Sequence, residues 1–199
     1  MNLIERVKNI LISPKTEWEV INNETATPAS LLTGYVLPLA VVSAVGTILK
    51  YLMFTGPYGV SYGMKFIIIS AVIAFIASVV AFYLTVMIVD MMATSFNSEK
   101  NMGKSAQLVA YSNTPSYIGG LLSFIPVVGL LIAIAAWVYG IYIMYLGIGP
   151  IKKTPEDKKV VYMLVVYVIM IAIYFILIAL LGAILFAMIG GTVAGLTGY

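Results

Sequence analysis

The chain contains no cysteine and no histidine in 199 residues, and only 10% of its residues are charged. Without cysteine there is no thiol nucleophile and no disulfide. Without histidine there is no imidazole base, and the usual zinc ligand sets are missing. No metal site and no cofactor are therefore expected. No Gly-rich loop ending in Lys-Ser or Lys-Thr occurs, so phosphate cradling of that type is excluded. No pair of carboxylates stands at a defensible catalytic spacing, and the chain reads as not an enzyme. The net charge is only +3. The basic residues flank apolar runs, so they read as topology signals and not as a nucleic-acid surface. The mixed-charge N-terminus has no long apolar core before a small-residue site, so no cleavable signal peptide is expected.

Apolar residues make up 62% of the chain, and its mean hydropathy is +1.05. An ordinary soluble domain is roughly 45–50% apolar and 25% charged. The run from Ser105 to Ile151 carries no Asp, Glu, Lys or Arg. As one helix it would be about 70 Å long. A bilayer core is about 30 Å thick, so the run must fold back within the membrane. Lipid offers the backbone no hydrogen bonds, which favours helices, and the runs lack the alternation of a barrel strand. The fold class is all-α: a polytopic membrane protein with a five-helix transmembrane bundle and an N-terminal amphipathic interfacial helix.

Residues 1–27 form the cytoplasmic or interfacial segment. Leu3, Ile4, Val7, Ile10 and Leu11 share one helical face, with Glu5, Arg6, Lys8 and Asn9 on the other. That spacing is amphipathic and too short to span, so a helix lying on the membrane is expected. Ser13-Pro14 ends it, Thr16 to Glu19 has capping-box spacing, and Trp18 is expected to anchor at the interface. The transmembrane domain covers 28–191, with spans at about 28–54, 63–92, 105–125, 130–149 and 155–190, followed by a tail at 192–199. Thr27-Pro28 opens the first span, and Pro38 should kink it. Residues 55–59 and 95–104 are polar or Gly/Pro-rich connections. Gly149 to Lys153 reads as a loop, and Thr154-Pro155-Glu156-Asp157 as a helix start with acids in the first turn.

Five spans place the termini on opposite sides. Nine basic residues then fall on one side (Arg6, Lys8, Lys15, Lys100, Lys104, Lys152, Lys153, Lys158 and Lys159) and two, Lys50 and Lys65, on the other. The positive-inside rule makes the N-terminus cytoplasmic and the C-terminus external, in a multi-pass protein of the cell membrane.

Two kinds of motif stand out within the spans. Ala179, Ala183, Ala187 and Gly191 recur every four residues, a spacing that lets helices approach closely in lipid; Ala136 and Gly140 form a shorter version. The stripe serves packing within the bundle, or a homo-oligomer or membrane-protein partner. The second kind is a candidate polar intramembrane site. Apart from Glu156 and Asp157 at the start of the fifth span, Asp90 is the only acid inside a span, at membrane depth or at the headgroup level. Tyr111, Ser112, Asn113 and Pro115 form the most polar intramembrane stretch. Pro115 removes a backbone donor there, and neighbouring hydroxyl and amide groups can re-satisfy the freed carbonyl. Tyr139 and Tyr142 on the fourth span could face this break or sit in an interfacial aromatic belt.

The order of features resembles the YIP-domain family, the Ypt/Rab-interacting integral membrane proteins and their prokaryotic relatives. The stretches that carry the resemblance are 12–18 (Ile12-Ser13-Pro14-Lys15-Thr16-Glu17-Trp18), Tyr35-Val36-Leu37-Pro38 and 110–115. Ile125 to Gly129, Trp137 to Tyr142 and Leu146-Gly147-Ile148 continue it over nearly the whole chain. The resemblance implies five spans and a cytoplasmic N-terminus. Eukaryotic members are linked to Rab-dependent vesicle traffic through a longer N-terminal region and carry an Asp-Leu-Tyr-Gly-Pro motif, and this chain has neither. It resembles the short prokaryotic type. The expected function is a non-enzymatic integral membrane protein that organises membrane or partner proteins. The alternative is a small-molecule or lipid transporter or scramblase using the kinked third span.

Overall fold

The computed structural model describes the backbone of residues 2–53, 64–125 and 127–196, and their side chains except at 51, 52, 64–67, 74, 178, 181 and 184–196. The turn expected at 55–59 and the side chains of Ala187 and Gly191 lie outside the described residues. The described chain is helical throughout, with no strand. Two short helices, α1 (Leu3–Ile12) and α2 (Pro14–Asn22), precede α3 (Pro28–Leu31), a π-helical turn (Leu32–Val36) and α4 (Leu37–Met53). Then come α5 (Met64–Met92), α6 (Met102–Ser112), α7 (Thr114–Leu121), α8 (Val128–Lys152) and α9 (Glu156–Leu196). Four of these stretches are long and apolar enough to cross a membrane: Pro28–Lys50, Ile68–Phe96, Val128–Lys152 and Glu156–Leu177.

The first span starts as its sequence dictates. Thr27 caps it, its hydroxyl and that of Ser30 forming a reciprocal capping box, and Pro28 fills the first turn. Pro38 has no N–H to offer, and the disturbance registers as the π turn immediately before it. The fourth helix departs from expectation. It does not stop at Gly149 but runs through Pro150 to Lys152. α9 continues to Leu196, five residues into the segment read as a tail. At 41 residues it would be about 62 Å long, roughly twice a bilayer core.

The broken pair α6–α7 sits at the centre. α6 packs on α5 and α8, and α7 packs on α4 and α8. Every residue of α6 from Ser105 to Ser112 is buried. That explains how a helix with Ser105, Gln107 and Ser112 can lie inside an apolar bundle: it is solvated by protein, and polar backbone or side chains are tolerated there. The outer faces are apolar instead. Ile68, Val72, Ile76 and Val80 form an exposed stripe on α5 at four-residue steps, as Leu130, Ile134 and Val138 do on α8. Contacting lipid in place of water removes the penalty for such faces. Close approach between helices depends on glycine at a few points. A side chain on Gly46 would strike the carbonyls of Gly120 and Leu121, and one on Gly140 would lie 2.9 Å from the Ser112 carbonyl oxygen. Ala136 meets Gly119 in the same way, so the short Ala136/Gly140 stripe is a packing seam.

The N-terminal segment is a docked helical hairpin, not a single helix resting on a surface. α2 lies along α8, and Trp18, wholly buried, donates through Nε1 to the carbonyl of Ile143 at 2.9 Å. This replaces the expected interfacial anchor. Thr16 lies inside α2, its hydroxyl bonded to the Ser13 carbonyl, so the helix begins at Pro14 and not at a Thr16 cap. The last carbonyls of the hairpin, at Ile21, Asn22 and Glu24, receive Lys104 Nζ and Gln107 Nε2 from α6. Arg6, expected on the polar face, is buried together with Ile10, while Ile4 and Ile12 are left exposed.

Candidate functional site

The candidate polar residues fall in three places. The first is the end of the bundle where the α5–α6 and α8–α9 connections meet. Asp90 is buried against protein here. Its partner is Lys152, which is fully buried and reaches Asp90 Oδ1 at 3.2 Å. Ser105 bridges them: Lys152 Nζ donates to Ser105 Oγ at 2.6 Å, and Ser105 Oγ donates to Asp90 Oδ1 at 2.9 Å. The Asn101 carbonyl is a further acceptor for Lys152 at 3.4 Å. A buried ion pair of this kind depends on further hydrogen bonds, and here Lys152 Nζ has three acceptors while Asp90 Oδ1 takes two donors. Tyr162 donates to the Val89 carbonyl beside this cluster and stacks on Phe96 at 4.8 Å.

The two connections are clamped to each other. Glu99 N–H donates to the Lys152 carbonyl at 2.7 Å, and Ser98 Oγ donates to Thr154 Oγ1 at 2.9 Å. Lys153 pairs with Glu99 at 2.8 Å. The hydrogen bond from Lys153, followed by its charge, holds the Glu99 carboxyl below the usual range. Asn97 and Lys153 take left-handed backbone conformations, φ 55° and 50°, where each helix turns into its connection.

The second place is the seam between the N-terminal hairpin and the bundle. Arg6 pairs with Glu17 and Glu24 and lies over the Tyr111 ring, 5.2 Å from its centroid. Tyr111 meets Tyr35 edge to face at 4.8 Å, and Tyr35 OH bonds Thr114 Oγ1 at 2.7 Å. A polar hollow of about 520 Å³ opens beside Arg6, Glu24 and Tyr35, with the π turn in its wall. On the far side of the hairpin Tyr139 donates to the Leu11 carbonyl at 2.6 Å and stacks on Tyr142, which is half exposed. Tyr139 thus secures the hairpin and is separate from the α6–α7 break.

The third place is that break. Pro115 cannot donate to the carbonyl of Tyr111, four residues earlier. Thr114 replaces the missing donor, its hydroxyl bonding that carbonyl at 2.7 Å, and Asn113 Nδ2 bonds the Val109 carbonyl at 3.1 Å. Thr114 meets the carbonyl that Pro115 frees; the Val109 carbonyl bonded by Asn113 Nδ2 also receives the Asn113 N–H. Ser112 takes no part: its hydroxyl is buried and has no hydrogen-bond partner. Ser112 and Asn113 border a cavity of about 650 Å³ between α5, α7, α8 and α9.

The structure therefore separates Asp90 from Ser112 and Asn113. Ser112 lies seven residues beyond Ser105 on α6, about 10 Å along the axis. Of the packing stripe on α9, Ala179 and Ala183 are exposed. Sequence reading missed Lys152, Ser105, Arg6 and Glu17 as members of these clusters. A signal existed for Lys152, since a lone buried acid calls for a base, but Pro150 made its segment look like a loop.

Comparison of the chain with family models gives a match to the Yip1 domain over residues 8–180. No curated protein and no solved structure matches it.

Proposed function

This chain belongs to the Yip1 domain family, and we propose that it is a non-enzymatic five-span protein of the cell membrane that organises membrane or partner proteins. In this reading the N-terminus is cytoplasmic and the C-terminus external, as the distribution of basic residues requires. The observation that carries the role is how the buried charges are used. Arg6, Glu17, Asp90 and Lys152 are the buried charged residues among those described, and each is paired within the chain. The Asp90–Lys152 pair joins residues 62 apart in sequence and ties one end of the bundle together, and the Arg6–Glu17 pair closes the N-terminal hairpin, so both charges of each pair serve to hold segments in place. The exposed apolar face of α9, with Ala179 and Ala183 on it, is where a second membrane helix would lie.

The test is extraction of the full chain with its native lipid, followed by identification of bound proteins. A membrane protein recovered in near-stoichiometric amount supports the role, with loss on Ala179→Leu/Ala183→Leu. The transporter or scramblase alternative draws on the broken α6–α7 helix. It requires that the purified chain alone move a solute or lipid across proteoliposomes, and that Asp90→Asn abolish the movement. That result would overturn the organising role.

A further inference from the structure

We propose that the cavity between α5, α7, α8 and α9 is a binding site for one uncharged, hydroxyl-bearing lipid, its polar end at Ser112 and Asn113 and its chain along α9. This inference is independent of the organising role above: it concerns a ligand held in the bundle, not one moved across the membrane. Its volume, about 650 Å³, lies within the range of about 300–1,000 Å³ typical of small-molecule sites. Most of the wall is apolar or aromatic, from Phe82, Trp137, Met144, Val166 and Met170. No lining residue is charged. A phosphate, carboxylate or ammonium head would therefore enter without a counter-charge, at a cost an apolar site cannot meet.

One end of the cavity is polar in a specific way. Thr114 and Asn113 Nδ2 are engaged on the Tyr111 and Val109 carbonyls. Across the cavity, Thr85 Oγ1 is bonded to the Ala81 carbonyl at 2.6 Å. Ser112 is 4% exposed, and its buried Oγ has no partner. A buried hydroxyl without a partner is unusual and asks for one. Asn113, the next residue of the wall, carries an amide oxygen that can accept. A wall that offers both a donor and an acceptor matches a hydroxyl, which is both. Ser112 lies about 10 Å along α6 from Ser105 and the Asp90–Lys152 pair.

The experiment uses the purified full chain in nanodiscs with a diazirine-bearing hexadecanol as probe. Cross-linked peptides are mapped by mass spectrometry, and unlabelled hexadecanol and palmitate serve as competitors. Labelling is expected on α7 and the 166–175 stretch of α9, displaced by hexadecanol and poorly by palmitate. Ala81→Leu, which puts a larger side chain into the cavity wall, should reduce the displaceable labelling while the thermal melt is retained. Ser112→Ala should weaken hexadecanol competition about two- to twelve-fold, the range of one neutral hydrogen bond. Labelling spread evenly over outward-facing positions such as Val72 and Ile134, or unchanged in Ala81→Leu, would overturn the proposal. Equal competition by palmitate would overturn the assignment of an uncharged head.

Discussion

Removing one member of the Asp90–Lys152 pair should damage the protein far more than removing both. Lys152 is 0% and Asp90 3% exposed, and their contact is supported by Ser105 and Asn101. Lys152→Met leaves a carboxylate with only the Ser105 hydroxyl for support. Asp90→Asn leaves an ammonium in the same cage. Breaking a buried pair in this way costs about 3–5 kcal/mol, because the surviving charge is uncompensated. For a chain of this size each kcal/mol moves Tm by roughly 2–4 °C, so either single variant should melt about 6–20 °C lower. The double variant Asp90→Asn/Lys152→Met leaves no unpaired charge, and replacing a buried pair outright is often neutral. It should recover most of the loss. The assay is a double-mutant cycle from thermal melts in one detergent, repeated in nanodiscs. If each single variant melts within about 2 °C of the parent, or if the double variant loses the sum of the two, the pair is not the strut described here. An intact fold with Asp90→Asn, combined with a lost transport activity, would point to the alternative transporter role.

Three further outcomes follow from named contacts. Gly147→Ala would drive a methyl group into the Trp18 ring. Overpacking of this kind costs about 1–3 kcal/mol, and it should loosen the hairpin, read as faster proteolysis within residues 2–22 in proteoliposomes. Val7→Ser/Leu11→Ser should leave the hairpin protected, because Trp18, Arg6 and Tyr139 hold it; release of the segment by these two changes would restore the picture of a helix held by its apolar face. Thr114→Val frees both the Tyr111 carbonyl and the Tyr35 hydroxyl and should cost about 1–3 kcal/mol, whereas Ser112→Ala removes no bond within the chain and should leave the melt unchanged. A larger loss from Ser112→Ala than from Thr114→Val would reverse the assignment.

Much of the bundle was legible because membrane spans are dictated by long-range composition. The charge-free runs gave α4, α5 and α8, and Thr27-Pro28 and Thr154-Pro155 marked helix starts with a known physical cause. The Pro115 break was legible for the same reason, since a proline must orphan the carbonyl four residues earlier. What escaped was pairing between distant segments. Helical periodicity placed Arg6 on a solvent face, because periodicity describes one helix and cannot see Glu17 and Glu24 folding back over it. Trp18 looked like a surface anchor because its acceptor, the Ile143 carbonyl, lies 125 residues away. Lys152 looked like a loop residue after Pro150. A proline near a helix end in a packed bundle need not end the helix when neighbours satisfy the freed groups. The separation of Asp90 from Ser112 could not be read from the chain, since both are simply polar residues in adjacent spans.

The account stands most directly on the path of the chain through the membrane, and the absence of cysteine makes that path measurable. Single cysteines at Ser61, Lys100 and Thr197 are exposed to a membrane-impermeant thiol reagent in intact cells. Five spans with the basic end inside predict labelling at Ser61 and Thr197, and labelling at Lys100 only after permeabilisation. External labelling at Lys100, or Ser61 and Thr197 found on opposite sides, would contradict it.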